Sequence, residues 1–535
     1  MRHFCSLLLL FALASPAFAT DHRVELAKAL GLDEKICEDP HIKWSDTYRE
    51  AKALFLADKF EKLNQRLDGF PPLENWAGVE AAWVPVIFDM LAQNGQLEGR
   101  AMRWFRATPK SPHAHLALGM GWINEAWKAR GEGFANTVSE ESWKIWREKL
   151  SKARKAIRNA LKLNPDHPVA HAKRLHLDRC QSTDREESRA HFKDSLERVP
   201  TYFKIHEEAL WIAQPRWGGS WEEVWETMAL IKAKLPSHPS YLKALYYAHN
   251  FKAESLGGHP DHAAAKRTYF RKPEIQALFR ELAASARETV PTSAIPANIE
   301  FELGKQVGAS KSVMSRLTLE MARKGSVHWQ IGWAKGALFR DRAGRARLRP
   351  ADVKQAYRFL FLAIAQGKQQ AWQIADKDLI GGNIREPKRP KAAYHLCRVL
   401  GELGSRYWNG LAIELLRNGV GVERDEKAAL AEHRRGAKAG DRFAQYHYGL
   451  ILFGRPKASD RKAGIRHLER AAAQGHPSTL HVLSEIRLGL HWAEAKDLEE
   501  ADRWIGECER LKLPAAGGLR KRYEDVKAGR PPARR

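Results

Sequence analysis

Four glycines in the C-terminal half, Gly367, Gly404, Gly440 and Gly475, stand 37, 36 and 35 residues apart. Four lysines, Lys354, Lys391, Lys427 and Lys462, repeat the same three spacings, each thirteen residues ahead of its glycine. Two columns that share one drift in period mark a single structural unit used repeatedly, and a period between 20 and 50 residues corresponds to stacked supersecondary units. The residues between the columns say which unit. Ala-rich runs such as KAGIRHLERAAAQG favour helix, and their small side chains let neighbouring helices approach closely. The closing glycine suits the left-handed conformation that ends a helix, and segments such as HPSTLHVLSEIRLG resume a helical pattern at once. The stretch HLERAAAQGHPSTLHVL, His467 to Leu483, therefore reads as a joint between one helical hairpin and the next. The expected fold is all-α, an α/α solenoid of helical-hairpin repeats.

The N-terminal half carries a fainter rhythm of the same kind. Pro165, Pro200 and Pro236 stand 35 and 36 residues apart, each between two helix-like stretches. Proline ends one helix and is tolerated in the first turn of the next, so residues 20–300 are expected to form tetratricopeptide-like hairpins. At 535 residues and 44% hydrophobic, the chain can bury a sizeable core. Most of its 18 Trp are expected to pack between helices.

The first nineteen residues, MRHFCSLLLLFALASPAFA, have a short basic start, an apolar run and a small-x-small ending at Ala17-Phe18-Ala19. That pattern is an export signal cleaved after Ala19, and no later run is long enough to span a bilayer. A periplasmic or secreted location is expected. Cys37, Cys180, Cys397 and Cys508 are mutually distant and include no C-x-x-C pair, so neither a zinc ribbon nor a dithiol site is indicated, and no disulfide pairing is favoured.

The segment Tyr407 to Asp441 resembles a Sel-like repeat, a tetratricopeptide-type unit, through Gly419, Gly421, Val422, Asp425, Lys427, Ala428, Ala437 and Gly440. Neighbouring segments keep part of the pattern, and the similarity extends over 327–513. The resemblance implies an array that mediates protein contacts. Residues Ser111 to Gly131 and Gln214 to Glu226, with the Trp-Gly-Gly-Ser box of Trp217 to Ser220, resemble an uncharacterised bacterial domain found ahead of such repeats. Mechanically, Ser220 is placed to cap a helix starting at Trp221. The remainder, 514–535, is basic and contains Pro and Gly, and is expected to be a flexible tail.

Catalytic and metal-binding patterns are weak. Ser240 and Lys243 fit S-x-x-K without companion motifs. His113 with His115, and His259 with His262, lack the spacing of a zinc site, so no metal or other cofactor is expected. Charge is more informative. Residues 301–535 hold 46 Lys and Arg against 26 Asp and Glu, whereas residues 1–300 are nearly balanced at 43 to 38. The excess gives a positive potential that attracts acidic partners or polyanions. Candidate binding residues are Arg216, Trp217, Arg345, Arg347, Arg349, Arg434 and Arg435. Three functions stay open: a non-catalytic exported scaffold for a protein partner, a binder of anionic envelope polymer or nucleic acid through the basic half, and an enzyme with a site in the N-terminal half. N-terminal sequencing of the protein from an envelope fraction is expected to start at Thr20. A cytoplasmic protein that retains Met1 would refute export.

Overall fold

The computed structural model describes residues 21–69, 97–133, 135–256, 262–291, 293–338, 350–381, 387–490 and 497–530. Among them the regular elements are helices and no strand occurs. The fold is the all-α helical-hairpin class that the sequence pattern indicates. The expected signal (1–19), Thr20, His259, Arg345, Arg347 and Arg349 lie outside the described residues, as does the side chain of His262. The chain forms two compact units, one spanning Glu38–Gln366 and the other combining Ser15–Cys37 with Gly367–Arg535. The first unit of the expected array, 327–367, thus groups almost entirely with the N-terminal hairpins.

Helix α1 is His22–Ala29 and belongs to the second unit. The N-terminal unit begins with α2 (Pro40–Leu56), α3 (Phe60–Asp68), α4 (Leu97–Ala107), α5 (Pro112–Arg130) and α6 (Glu140–Leu163). It continues through α7 (Pro168–Gln181), α8 (Arg185–Arg198), α9 (Phe203–Ala213), α10 (Trp221–Lys234) and α11 (Pro239–Ser255). The remaining helices are α12 (His262–Phe270), α13 (Pro273–Thr289), α14 (Ile295–Val307), α15 (Lys311–Arg323), α16 (Val327–Leu338) and α17 (Pro350–Ala365). Helix α15 fills the interval 301–326 that sequence left between the two arrays, and buries Leu317 and Met321 against Ala297 and Phe301 of α14. One continuous core runs from Ala51 to Leu303. Trp104 and Trp146 are in it, whereas Trp127 and Trp217 are exposed.

The prolines of the N-terminal rhythm work together with a residue type that the rhythm does not reveal. His115 Nε2 donates to the Pro109 carbonyl at 3.0 Å, His171 Nε2 to Pro165 at 2.6 Å, and His206 Nε2 to Pro200 at 2.7 Å. Each histidine lies six residues beyond its proline, one turn into the next helix, and satisfies a loop carbonyl that no helix can pair. The tautomer follows: Nε2 carries the hydrogen. Around His171 the free Nδ1 faces the Ser195 hydroxyl at 3.0 Å, while in His206 it is buried with no partner. Ser240, in the first turn of α11, instead ties two joints together: its Oγ donates to the Thr201 carbonyl beside Pro200 at 2.8 Å, which gives that residue of the S-x-x-K pattern a structural role.

In the C-terminal unit, α18 (Gln369–Ala375) runs into a π-helical turn at Asp376–Ile380. It is followed by α19 (Pro390–Glu402), α20 (Arg406–Asn418), α21 (Glu426–Lys438), α22 (Arg442–Phe453), α23 (Ala458–Ala473), α24 (Pro477–Arg487), α25 (Leu498–Arg510) and α26 (Ala516–Lys527). The glycine column closes helices in one way. After Gly404, Gly440 and Gly475, at φ of 96°, 82° and 72°, the next residue donates back five positions, Ser405 to Leu400, Asp441 to Gly436 and His476 to Ala471. This is a Schellman-type closure, which needs a left-handed residue. Gly367 also has positive φ, at 75°. The lysine column sits in the first turns of the helices that these glycines end, with Lys427 and Lys462 exposed. At the other turn of the hairpin, Asp425 caps α21 through the Ala428 amide at 2.8 Å, and Gly419 and Gly421 adopt positive φ.

Two expectations for the chain ends are corrected. Residues 516–527 of the expected flexible tail form α26, which buries Leu519, Tyr523 and Val526 against Trp504, Ile505 and Cys508 of α25 and against α24. The apolar spacing of those three side chains supplies one helical face, and its burial outweighs the local Gly and charge content. Helix α1, placed by sequence in the N-terminal domain, instead packs on α19, where Leu26 and Ala27 are buried and Lys391 pairs with Glu25 at 3.7 Å.

Two outcomes are expected. A Cβ on Gly421 would lie 2.0 Å from the Pro390 carbonyl oxygen, whereas one on Gly475 meets nothing within 4 Å. Gly475→Ala should cost only the left-handed strain, about 1 kcal/mol, while Gly421→Ala should cost at least about 2 kcal/mol more from backbone overlap. Urea unfolding read by circular dichroism ranks them; equal costs would refute the packing role of Gly421. The second outcome concerns pH. Burial holds His171 and His206 down to about 4, against the pull of their proline carbonyls. A folded value below the unfolded 6.5 means that stability is complete above 6.5 and declines as pH falls toward 4, by up to about 3 kcal/mol per histidine. Denaturation midpoints between pH 7 and 4 should fall more steeply for the wild type than for His171→Gln/His206→Gln.

Candidate binding face of the N-terminal unit

Helices α7, α9, α11 and α14 pack side by side within the N-terminal unit. Three of them, with the loop after α9, carry a run of aromatic rings, from buried Phe251 to exposed Trp217, interleaved with cations. The Arg179 guanidinium of α7 lies 5.4 Å from the Trp211 ring of α9 and 5.2 Å from Trp217. Arg216 sits 4.2 Å over Trp211 and 5.8 Å from Phe251 of α11. Trp211 and Phe251 have ring centres 5.0 Å apart, Phe251 meets Tyr247 at 6.0 Å, and Tyr247 meets Phe203 at 5.3 Å. Lys243 stands 4.2 Å over Phe203. The strip leads into a cleft of about 400 Å³ between α11 and α14, lined by Lys243, Tyr247, Phe251, Asn298 and Glu302 among others.

The Trp-Gly-Gly-Ser box explains how Arg216 and Trp217 reach this strip. Pro215–Trp217 form a single 3-10 turn, and Gly218 leaves it at φ 83°. Gly219 passes so close to α9 that a Cβ would fall 2.1 Å from the Ala213 carbonyl oxygen. Ser220 then caps α10 by accepting from the Glu223 amide at 3.2 Å, and Arg185 pairs with Glu223. The box thus turns the chain tightly enough to lay Arg216 over Trp211 while leaving Trp217 45% exposed. Arginine on aromatic faces is held by cation–π attraction while its N–H groups stay open to a partner.

Beneath Arg179 lies a charged cluster that sequence reading missed. Glu208 Oε2 accepts from Arg179 at 3.1 Å, its Oε1 meets His176 Nδ1 at 3.1 Å, and His176 Nε2 lies 3.5 Å from Cys180 Sγ. Burial opposes a charge on His176, yet the hydrogen bonds to Cys180 and Glu208 outweigh it and raise the histidine to about 9. Glu208 is lowered, its burial offset first by the His176 hydrogen bond. The carboxylate–imidazole–thiol order can direct a proton between His176 and Cys180; acyl transfer would further require donors aimed at a developing oxyanion. The available sequence signal is the i, i+3, i+4 spacing of His176, Arg179 and Cys180, which places the three on one helix face.

The other candidates are dispersed. Arg434 and Arg435 are exposed on α21 of the C-terminal unit. A cavity of about 330 Å³ between α6, α7 and α8 is lined by Arg154, Arg158, Lys162, Arg174 and Arg198 with Asp194. Its cations belong to the half of the chain with the nearly balanced charge, so composition gave no hint of it. Arg154 pairs with buried Asp178 at 2.9 Å and Arg174 with Asp194 at 2.7 Å. His113, a metal candidate from sequence, instead bridges Asp68 at 2.9 Å and His167 at 3.2 Å.

Residues 49–181 match a family model described as a domain of unknown function (DUF4034). The match includes His176, Arg179 and Cys180 and ends before the Trp217 box. No curated protein matches the chain. Among solved structures, the chain is similar to a protective antigen of uropathogenic Escherichia coli strains that displays an SLR fold, at 17% identity over 80% of this chain and 83% of that one, TM-score 0.35. It is also similar to a Sel1 repeat protein from Oxalobacter formigenes, at 16% identity over 65% of this chain and 92% of that one, TM-score 0.34.

Proposed function

We propose that the chain is a non-catalytic, exported scaffold whose N-terminal hairpins hold a protein partner along the face of α7, α9 and α11. The observation that carries this reading is the strip of Arg179, Trp211, Arg216, Trp217, Tyr247 and Phe251. Trp, Tyr and Arg are the residue types that dominate binding energy at protein interfaces, and here they are ordered by mutual stacking before a partner arrives. The chemistry favours an extended segment with acidic groups between apolar ones, the acids meeting Arg216 and Lys243 and the apolar groups meeting the rings. Export is supported by the signal-like residues 1–19. No helix among the described residues is long and apolar enough to cross a membrane.

Capture from envelope extract by the immobilised mature chain tests the reading. Arg216→Ala/Trp217→Ala should reduce capture of the retained protein at least about tenfold with the helical spectrum and melting temperature unchanged. Retention that ignores these substitutions but falls steeply with salt would favour instead an anionic polymer on the basic C-terminal half.

A further inference from the structure

Three helices of the C-terminal unit converge on a cluster of their own. Glu414 of α20, His433 of α21 and His447 of α22 come together because the Gly419–Gly421 turn and the Gly440 joint fold these helices against one another. His433 Nε2 lies 3.1 Å from Glu414 Oε1, and His447 Nδ1 lies 3.4 Å from the same oxygen. One donor atom from each residue falls within 4.8 Å of the others. We propose that Glu414, His433 and His447 form a binding site for a divalent first-row transition cation, zinc in the first instance, that fastens three successive helices together.

The spacing carries the proposal. Ligand atoms at Zn–N and Zn–O distances near 2.0–2.1 Å in a tetrahedron stand about 3.3 to 3.4 Å from one another. The two distances to Glu414 Oε1 bracket that value. Two imidazoles on one such ion hold their ring centres about 5.2 Å apart; those of His433 and His447 are 5.1 Å apart in an offset stack with planes within 16°. Two histidines and one carboxylate are a donor set suited to zinc, iron or copper rather than to magnesium or calcium.

The surroundings orient the donors. Arg417 Nη2 holds Glu414 Oε2 at 2.7 Å, which leaves Oε1 to face the imidazoles, the kind of outer support that ligating carboxylates have. Gly410, one turn before Glu414, lies beside the His447 ring, where a Cβ would stand in ordinary van der Waals contact, 3.6 Å from Nε2. One feature limits the affinity. His433 Nδ1 is buried without a hydrogen-bond partner, and a cation on Nε2 shifts the ring hydrogen to that atom. Micromolar binding is therefore expected rather than the tighter binding of sites whose histidines have an acceptor behind them. The fourth coordination position is left to water.

The test uses the full mature chain with zinc chloride by calorimetry and cobalt chloride by visible absorption. One cation per chain should bind with a Kd below about 100 µM, and cobalt should show the intense visible bands of four-coordinate geometry. Glu414→Gln keeps the shape of the side chain, and His447→Ala removes a partly exposed ring, so both spare the buried His433. Each should weaken binding at least about tenfold while the helical spectrum is retained. His328→Ala, an exposed histidine in the other unit, should change nothing. Binding weaker than about 100 µM, or binding that survives both substitutions, would overturn the site. Neither result bears on the partner face, because the variants leave α7, α9 and α11 intact.

Discussion

The interaction on which both units depend is the closure of helix ends at the joints. A stacked hairpin array has a turn after almost every helix, and each turn leaves backbone carbonyls that the helix cannot pair. The chain solves this in two ways. In the C-terminal unit, a glycine at positive φ lets the next amide reach back five residues, as at Ser405, Asp441 and His476. In the N-terminal unit, proline stops the helix and a buried histidine six residues later donates to its carbonyl. The first solution rests on conformational freedom, the second on a hydrogen bond in a desolvated site. They consequently respond to different perturbations, the glycines to added side chains and the histidines to protons.

These joints also decide what each unit presents. With loops this short, consecutive helices stay antiparallel and neighbouring hairpins stay in register, so residues within about one helical turn of a full period, here 32 and 40 residues apart, line up on neighbouring hairpins. Arg179, Trp211 and Phe251 become a continuous strip for that reason, and the box at Trp217 to Ser220 adds Arg216 by a turn too tight for any residue but glycine at position 219. The same geometry in the C-terminal unit draws Glu414, His433 and His447 to one point from three helices. The Glu414 grouping and the Arg179, Trp211 and Phe251 part of the strip arise from side chains set on regular helices whose spacing the turns fix, whereas Arg216 and Trp217 are carried by the turn after α9.

Cysteine chemistry follows burial in the same manner. Cys397 and Cys508 are enclosed in helix packing, and burial raises both thiols. Cys180 is half-buried, beside the Trp211 strip and within reach of His176. Three cysteines that sequence could not rank are thus separated by environment, with Cys180 beside His176 and Cys397 and Cys508 inert in the core.

The sequence by itself determined the all-α class, the hairpin unit and the positions of the C-terminal joints, because the period, the glycines and the helix-forming runs are local properties that neighbouring residues enforce on one another. It also placed Ser220 as the cap of the helix that starts at Trp221, since a serine ahead of a helical run is legible without a partner. Sequence could not place α1 on α19 or turn the expected tail into α26, because each depends on an apolar face finding a surface far away in the chain. Nor could it show the histidines behind Pro165 and Pro200, the Glu208–His176–Cys180 cluster, or the Glu414, His433 and His447 convergence. Those groupings join residues on different helices, and their identity as neighbours is set by the packing angle and register of the stack. Tertiary structure alone decided them, because a charged or polar side chain carries no local signal of the partner that will satisfy it once both are buried.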